Sequence, residues 1–225
     1  MRICILIISS SVNQNEKKRE NIYPKLKNIW RNYMNINKNI DCYFIEYDNI
    51  DNDFIINKNI IKIKGSESYI PGIFNKTIKA LELLYHQYDY FIRTNLSTFI
   101  NLNKIDKIFE KHINIGCATP YATKDCPHGA TMIMSQKFVF DLIKNQNMCN
   151  FRLNFIDDQT IGKIALNLKY DPIIVPNIFY QENIKHCNDI NKNNIIFYRI
   201  RDNKIDKYVF LLKKIYNIEY KCIMD

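Results

Sequence analysis

Two rhythms of apolar residues alternate along the chain: unbroken runs, and residues spaced for one face of a helix. Arg2–Ile8 is continuous and rich in Ile, as a strand buried on both faces requires, and it stops at the polar Ser9-Ser10-Ser11. From about Glu16 to Tyr33, Ile22, Leu26, Ile29, Trp30 and Tyr33 recur at helical spacing. Cys42–Tyr47 reads as a second strand and Ile60–Ile63 as a short third. Pro71 and Gly72 then open a helix with Ile73, Ile78, Leu81 and Leu84 along one face, and Tyr90–Arg93 is the strand that follows it. Asn114–Thr119 and Ala130–Ser135 are further apolar runs, separated by a loop holding Pro120, Pro127 and Gly129. Phe138–Ile143 predicts a helix. Asp157 and Asp158 precede Ile161, Ile164, Ala165 and Leu168, acids placed where a helix N-terminus favours them. Ile173–Val175 and Ile195–Ile200 read as strands, and Lys207–Tyr216 as a closing helix.

Strands alternating with helices over the first hundred residues predict an α/β fold: one domain with a mixed, mostly parallel central sheet flanked by helices. Ligands of such sheets bind beyond the carboxyl ends of the strands, which here places Ser9–Ser11, Tyr47–Asp48 and Asn95–Ser97 on one rim. There is no internal repeat and no linker; the Asn/Lys-rich Asn188–Asn194 reads as a loop.

Composition changes this picture only at the edges. At 47% hydrophobic, the 225 residues support a sizeable core. The 41 Ile, 30 Asn and abundant Lys all have AT-rich codons, so the formal charge of +9 reads first as surface bias. No dense basic tract of the nucleic-acid kind appears; Lys17, Lys18 and Arg19 form the tightest cluster. The seven cysteines form no C-x-x-C pair, and Cys4, Cys42 and Cys117 lie in apolar runs, which points to a reducing compartment and a soluble, cytoplasmic protein. No apolar stretch approaches the roughly 18 residues of a membrane span. Only five residues are glycine, against a usual rate of about 7%, so each one is expected where the backbone needs it.

Two segments carry chemistry. In Tyr88-Asp89-Tyr90-Phe91-Ile92-Arg93-Thr94-Asn95-Leu96-Ser97, a buried strand delivers polar side chains at its carboxyl end. In His128-Gly129-Ala130-Thr131-Met132-Ile133-Met134-Ser135, a glycine-led strand is followed about twenty residues later by Asp157-Asp158-Gln159-Thr160-Ile161-Gly162. Their order resembles the GT-A family of nucleotide-sugar-dependent glycosyltransferases, together with the serine-ended first strand, the Lys76-Thr77 helix and the basic Phe197-Tyr198-Arg199-Ile200-Arg201. It is most similar to the small enzymes of large DNA viruses and of bacterial surface-glycan clusters, which would place it in a host cytoplasm or a virion. The resemblance covers most of residues 1–201, dividing the domain into a nucleotide-binding half (about 1–100), an acceptor and catalytic half (about 101–201) and a C-terminal helix (202–225).

The resemblance implies hexosyl or deoxyhexosyl transfer from a nucleotide-diphosphate-sugar, UDP- or another NDP-sugar, to a glycan or glycoprotein hydroxyl, with inversion. Asp158 stands where the family's general base stands, four residues before Gly162, with Asp157 beside it. A carboxylate within about 3 Å of the attacking hydroxyl can take its proton. The plainer alternative is that both acids merely favour a helix N-terminus, with Asp157 as its cap. Donor contacts fall to Ser9, Ser10, Asp48, Lys76, Arg93, Thr94, Asn95, Ser97, Arg199 and Arg201, and acceptor contacts to His128 and Gly129. Arg93 can equally form a salt bridge with Asp89 or a neighbouring acid, and Arg199 and Arg201 can share a solvated face. Where the family carries Asp-x-Asp for Mn²⁺ or Mg²⁺, this chain has Asn95-Leu96-Ser97, whose neutral oxygens are weaker ligands. Such a chain could hold the Mn²⁺ or Mg²⁺ ion mainly through the donor diphosphate or do without it; without it, fixed cations would have to meet the diphosphate charge, and Lys76, Arg93, Arg199 and Arg201 are the candidates. A catalytically silent carbohydrate-binding or structural relative remains the alternative. A third class, a basic nucleic-acid-binding or nucleotidyl-transferring domain, is motivated only by the charge of +9, and the latter would need paired carboxylates for two metals, which the sequence does not offer.

Overall fold

A computed structural model describes residues 1–10, 22–111, 117–119, 122–123, 126–127, 129–171, 173–175, 178–181, 192–200 and 204–223. In chain order the elements are β1 (Ile3–Ile8), α1 (Tyr23–Arg31), β2 (Ile40–Asp48), β3 (Phe54–Asn57), β4 (Ile60–Lys64), α2 (Gly72–Leu84), β5 (Tyr90–Asn95), β6 (Thr98–Ile100) and α3 (Asp106–Lys111). They continue with β7 (Cys117–Thr119), β8 (Ala122–Thr123), β9 (Cys126–Pro127), β10 (Thr131–Ser135), α4 (Gln136–Lys144), α5 (Phe151–Asn154) and α6 (Asp157–Asn167). β11 (Ile173–Ile174), β12 (Phe179–Gln181), β13 (Phe197–Arg199) and α7 (Ile205–Leu211) complete the chain, with a π-helical turn over Leu212–Tyr216.

Eight strands form the central sheet in the order β11-β7-β10-β5-β1-β2-β4-β3. The run β5-β1-β2-β4 is parallel; β10 enters antiparallel between β5 and β7, and β3 closes the far edge as an antiparallel hairpin with β4. β1 lies at the centre of the parallel part, and Ile3–Ile7 are fully buried, which is why the first apolar run does not alternate. Its odd residues Ile3, Ile5 and Ile7 pack on one face with Trp30 and Tyr33, while Cys4 and Leu6 pack on the other with Phe74, Ile78 and Leu81 of α2. Helices therefore cover both faces of the sheet, and the chain is a single Rossmann-like α/β domain.

A second sheet, β12-β13-β6, was not foreseen in β6 and β12, which are three residues each. β6 follows β5 after a two-residue turn and turns the chain toward β13, which pairs it antiparallel. The first helix is described only from Tyr23, since residues 11–21 fall outside the described set. Among the described residues, no helix is long and apolar enough to cross a membrane. Cys4 and Cys42 are buried free thiols, and burial pushes both well up from the ordinary thiol value.

Candidate active site

Parallel register places the strand ends together. Ile8 at the end of β1 is level with Ile45 of β2 and Asn95 of β5, so Ser9 and Ser10 emerge beside Asn95. These residues, Leu96 and Ser97 of the following turn, and Arg199 of β13 line a cleft of about 270 Å³. Tyr23 and Leu26 of α1, Glu67 and Tyr69 of the β4–α2 loop, and Ile73 and Lys76 of α2 complete its lining. Of the rim expected from the strand ends, Ser9, Ser10 and Asn95–Ser97 line the cleft, Ser11 lies outside the described residues, and Tyr47 and Asp48 are not part of the lining. The Asp48 carboxylate pairs with Lys62 at 2.8 Å.

A polar network underlies the cleft. Ser9 Oγ donates to Glu46 Oε1 at 2.6 Å, and Lys27 forms an ion pair with the same carboxylate. Lys76 Nζ donates to the Ser9 carbonyl at 2.6 Å and to both Glu67 oxygens at 2.8 and 3.0 Å. Glu67 also accepts the Tyr47 amide at 3.1 Å. Lys76 is 1% exposed; burial pulls its ammonium down from the ordinary lysine value, and Glu67 pulls the other way. Lys76 thus faces the cleft, as expected, but with its charge already balanced.

Three consecutive residues of β5, of which only Asn95 lines the cleft, hold the backbone at Gly129 and Ala130. Arg93 forms an ion pair with Asp157 and donates to the Gly129 carbonyl. Thr94 Oγ1 donates to the Ala130 carbonyl at 2.8 Å, and Asn95 Nδ2 to the Gly129 carbonyl at 2.8 Å. Arg93 is 2% exposed and Thr94 is fully buried, and neither lines the cleft; both grip the strand that carries Gly129. Arg93 does not pair with Asp89, which accepts the Arg2 amide at 2.7 Å instead.

The two adjacent acids part company here. Ile156 takes the cap position of α6, not Asp157, and Asp157 and Asp158 are its first two residues. A helix turns 100° per residue, so successive side chains cannot face the same way. Asp157 points into the core against Arg93. Burial raises its carboxyl above the ordinary value, Arg93 opposes this, and Asp158 adds to the rise. Asp158 is partly exposed and rests against Gly129; a Cβ built on Gly129 would overlap Asp158 Oδ2. Only glycine lets the carboxylate sit there. Asp158 Oδ1 accepts the Gln159 amide at 2.9 Å. The route from cleft to acid is therefore short: Asn95 lines the cleft, holds Gly129, and Gly129 contacts Asp158.

The Asn95 and Ser97 oxygens are neutral, and the two carboxylates nearest the cleft floor, Glu46 and Glu67, are committed to lysines. Among the described residues there is no group of three His, Cys, Asp or Glu able to hold a metal. This donor set does not fit a divalent cation seated by protein carboxylates. Arg201 and His128 lie outside the described residues. Sequence reasoning missed Glu46, Glu67, Lys27, Tyr23 and Tyr69. Glu46 carried a signal, a lone acid inside the apolar run Cys42–Tyr47; Glu67 sits in a polar loop and carried none.

No protein-family model and no curated protein sequence matches the chain. Solved structures do. A glycosyltransferase involved in the glycosylation of the major capsid of PBCV-1 superimposes with a TM-score of 0.51 at 12% identity, covering 91% of this chain and 96% of that one. At that identity the likeness establishes shared architecture: this chain has a glycosyltransferase-like fold.

Proposed function

We propose that the chain is a nucleotide-sugar-dependent glycosyltransferase of the GT-A type that transfers a hexosyl or deoxyhexosyl group to a glycan or glycoprotein hydroxyl with inversion. The observation that carries this reading is the placement of one solvent-reachable carboxylate, Asp158, against Gly129, whose carbonyl is held by Asn95 of the cleft lining. The glycosyltransferase-like fold supports the general class.

In this reading the nucleotide lies in the cleft, with Tyr23 and Tyr69 offering aromatic surface to the base and Ser10, Asn95 and Ser97 polar contacts to ribose and phosphate. Among the described residues, neither Ser97 Oγ nor Asn95 Oδ1 makes a hydrogen bond within the chain, so both are open to a donor substrate. The acceptor oxygen forms a bond to the anomeric carbon as the bond to the diphosphate oxygen breaks. The hydroxyl proton passes to Asp158, and the nucleoside diphosphate leaves with the bonding electron pair. Arg199 faces the cleft and meets part of the charge on that leaving group. Asp157 and Arg93 act as positioning residues, since both are sealed from substrate.

The test is a panel of nucleotide sugars, each with and without Mn²⁺, read by thermal shift and by release of nucleoside diphosphate. One donor is expected to raise Tm and turn over, with rates unchanged in excess EDTA. A strict Mn²⁺ requirement would overturn the part of this reading in which fixed cations such as Arg199, without a metal, meet the diphosphate charge. A second reading, a silent carbohydrate-binding relative, is favoured by the pairing of Lys76 and Arg93, which leaves less free positive charge for a diphosphate. It predicts a Tm shift with no diphosphate release from any donor.

A further inference from the structure

β3 is an edge of the eight-stranded sheet, and its four residues, Phe54-Ile55-Ile56-Asn57, are all exposed. Phe54, Ile55 and Ile56 are 39%, 37% and 44% exposed, and neither core cluster includes them. Edge strands are ordinarily blunted by lysine, proline or a bulge, because an open edge is a template for pairing. None of these devices interrupts this strand.

The hydrogen-bond phase of the edge follows from its partner. Lys64 N–H donates to the Asp53 carbonyl at 2.9 Å, and the register pairs Ile55 with Lys62 and Asn57 with Ile60. Residues 53, 55 and 57 therefore spend their backbone groups on β4, and Phe54 and Ile56 direct theirs outward. The charge around the strand is polarised. Asp51 and Asp53 precede it and Lys58 follows it, all three exposed, and the side chains of Asp53 and Lys58 form no ion pair among the described residues. A parallel neighbour would set acid beside acid; an antiparallel copy sets the acidic end of each strand beside the basic end of the other.

We infer that β3 is a self-association edge whose occupant is a second copy of this chain, paired antiparallel about a two-fold axis through Ile55. In that register Phe54 stands opposite the copy's Ile56 and Ile56 opposite its Phe54, so all four outward N–H groups and four outward carbonyls of the two strands pair. Ile55 meets Ile55, and Asp53 comes within one residue of Lys58. A two-fold contact is closed, and among the described residues the other edge of the sheet, β11, is only two residues long, so growth stops at the dimer. The inference is independent of the proposed activity.

Sedimentation velocity across a concentration series tests it. The wild-type chain is expected to approach twice its 26.9 kDa mass as concentration rises. Ile55→Lys sets two lysines face to face on the axis, and Ile56→Pro removes an N–H that bonds nothing among the described residues; both are expected to stay monomeric with unchanged circular dichroism. Asp53→Lys weakens association, and adding Lys58→Asp to it restores the dimer, because the swapped charges are complementary again. A wild-type monomer at all concentrations overturns the inference. So does a dimer that survives Ile55→Lys and Ile56→Pro, or association that runs on past two copies.

Discussion

Lys76–Glu67 and Arg93–Asp157 are both cation–carboxylate pairs sealed from water, with side chains at most 7% exposed, yet they stand in different relations to the cleft. Lys76 and Glu67 are part of its lining, and Lys76 also holds the Ser9 carbonyl, so this pair shapes the floor on which a ligand would lie. Arg93 and Asp157 lie outside the lining, and Arg93 shares the Gly129 carbonyl with Asn95, which is part of it. They touch no cleft surface, but they fix Gly129 and the start of α6, and so fix Asp158. Like chemistry thus serves the cleft directly in one region and through an intermediate backbone in the other. A buried pair is weak evidence of net stabilisation, although removing one partner is costly.

The sharpest way to test that difference is at the one acid that is not sealed. Asp158→Asn is expected to lower transfer by about 10²- to 10⁴-fold, the usual contribution of a general base, with little change in Tm. Full transfer in that variant would remove Asp158 from the chemistry.

Next come the pairs themselves. Arg93→Met leaves Asp157 as an unpaired buried acid and is expected to cost about 3–5 kcal/mol, lowering Tm by roughly 6–20 °C in a chain of this size. Combining it with Asp157→Leu should recover much of that loss. Lys76→Met is expected to destabilise similarly, but its kinetic signature should differ: a raised KM for the donor, where Arg93→Met lowers kcat. Equal effects on KM and kcat in both variants would erase the distinction between the two pairs.

A smaller expected effect is that of Gly129→Ala. Its methyl group must push Asp158 aside, and a displacement of about 1 Å in a reacting group can cost up to roughly 10²-fold. Transfer should fall while donor affinity, read by thermal shift, stays near wild type.

The smallest effect separates the pairs by pH. Asp157 holds its proton more tightly folded than unfolded, so its contribution is present below the ordinary carboxyl value of 3.8 and is lost as pH rises through the raised one. Lys76 is shifted the other way: its contribution is present above the ordinary 10.5 and is lost as pH falls through the lowered value. Asp157→Asn should therefore flatten the acid limb of a Tm–pH profile, and Lys76→Met the alkaline limb. Flattening of the opposite limbs would reverse both assignments.

The chain's patterning anticipated the strands that matter most and missed those at the margins. β1, β5 and β10 were legible because both of their faces are buried, and burial on both faces writes an unbroken apolar run. β3 was not, because three apolar residues beside Asp51, Asn52 and Asp53 look like a loop until β4 pairs with them. β6, β12 and β13 exist by mutual pairing, and only β13 lay within an apolar run. The start of α6 was legible from its two acids, but their division of labour was not, because it depends on which one faces Arg93, a residue 64 positions earlier.

The sequence by itself determined the α/β alternation and the polar strand ends at Ser9, Ser10 and Asn95–Ser97, since local patterning and strand burial are properties of neighbouring residues. Tertiary structure alone decided which charges are spent and which remain. Lys76 was a free cation until a loop brought Glu67 within 2.8 Å, and Asp157 and Asp158 were equivalent until β5 offered Arg93 to one and Gly129 to the other. The physical reason is that a charge's role depends on its partners and its distance from water, and both are set by contacts between residues far apart in the chain.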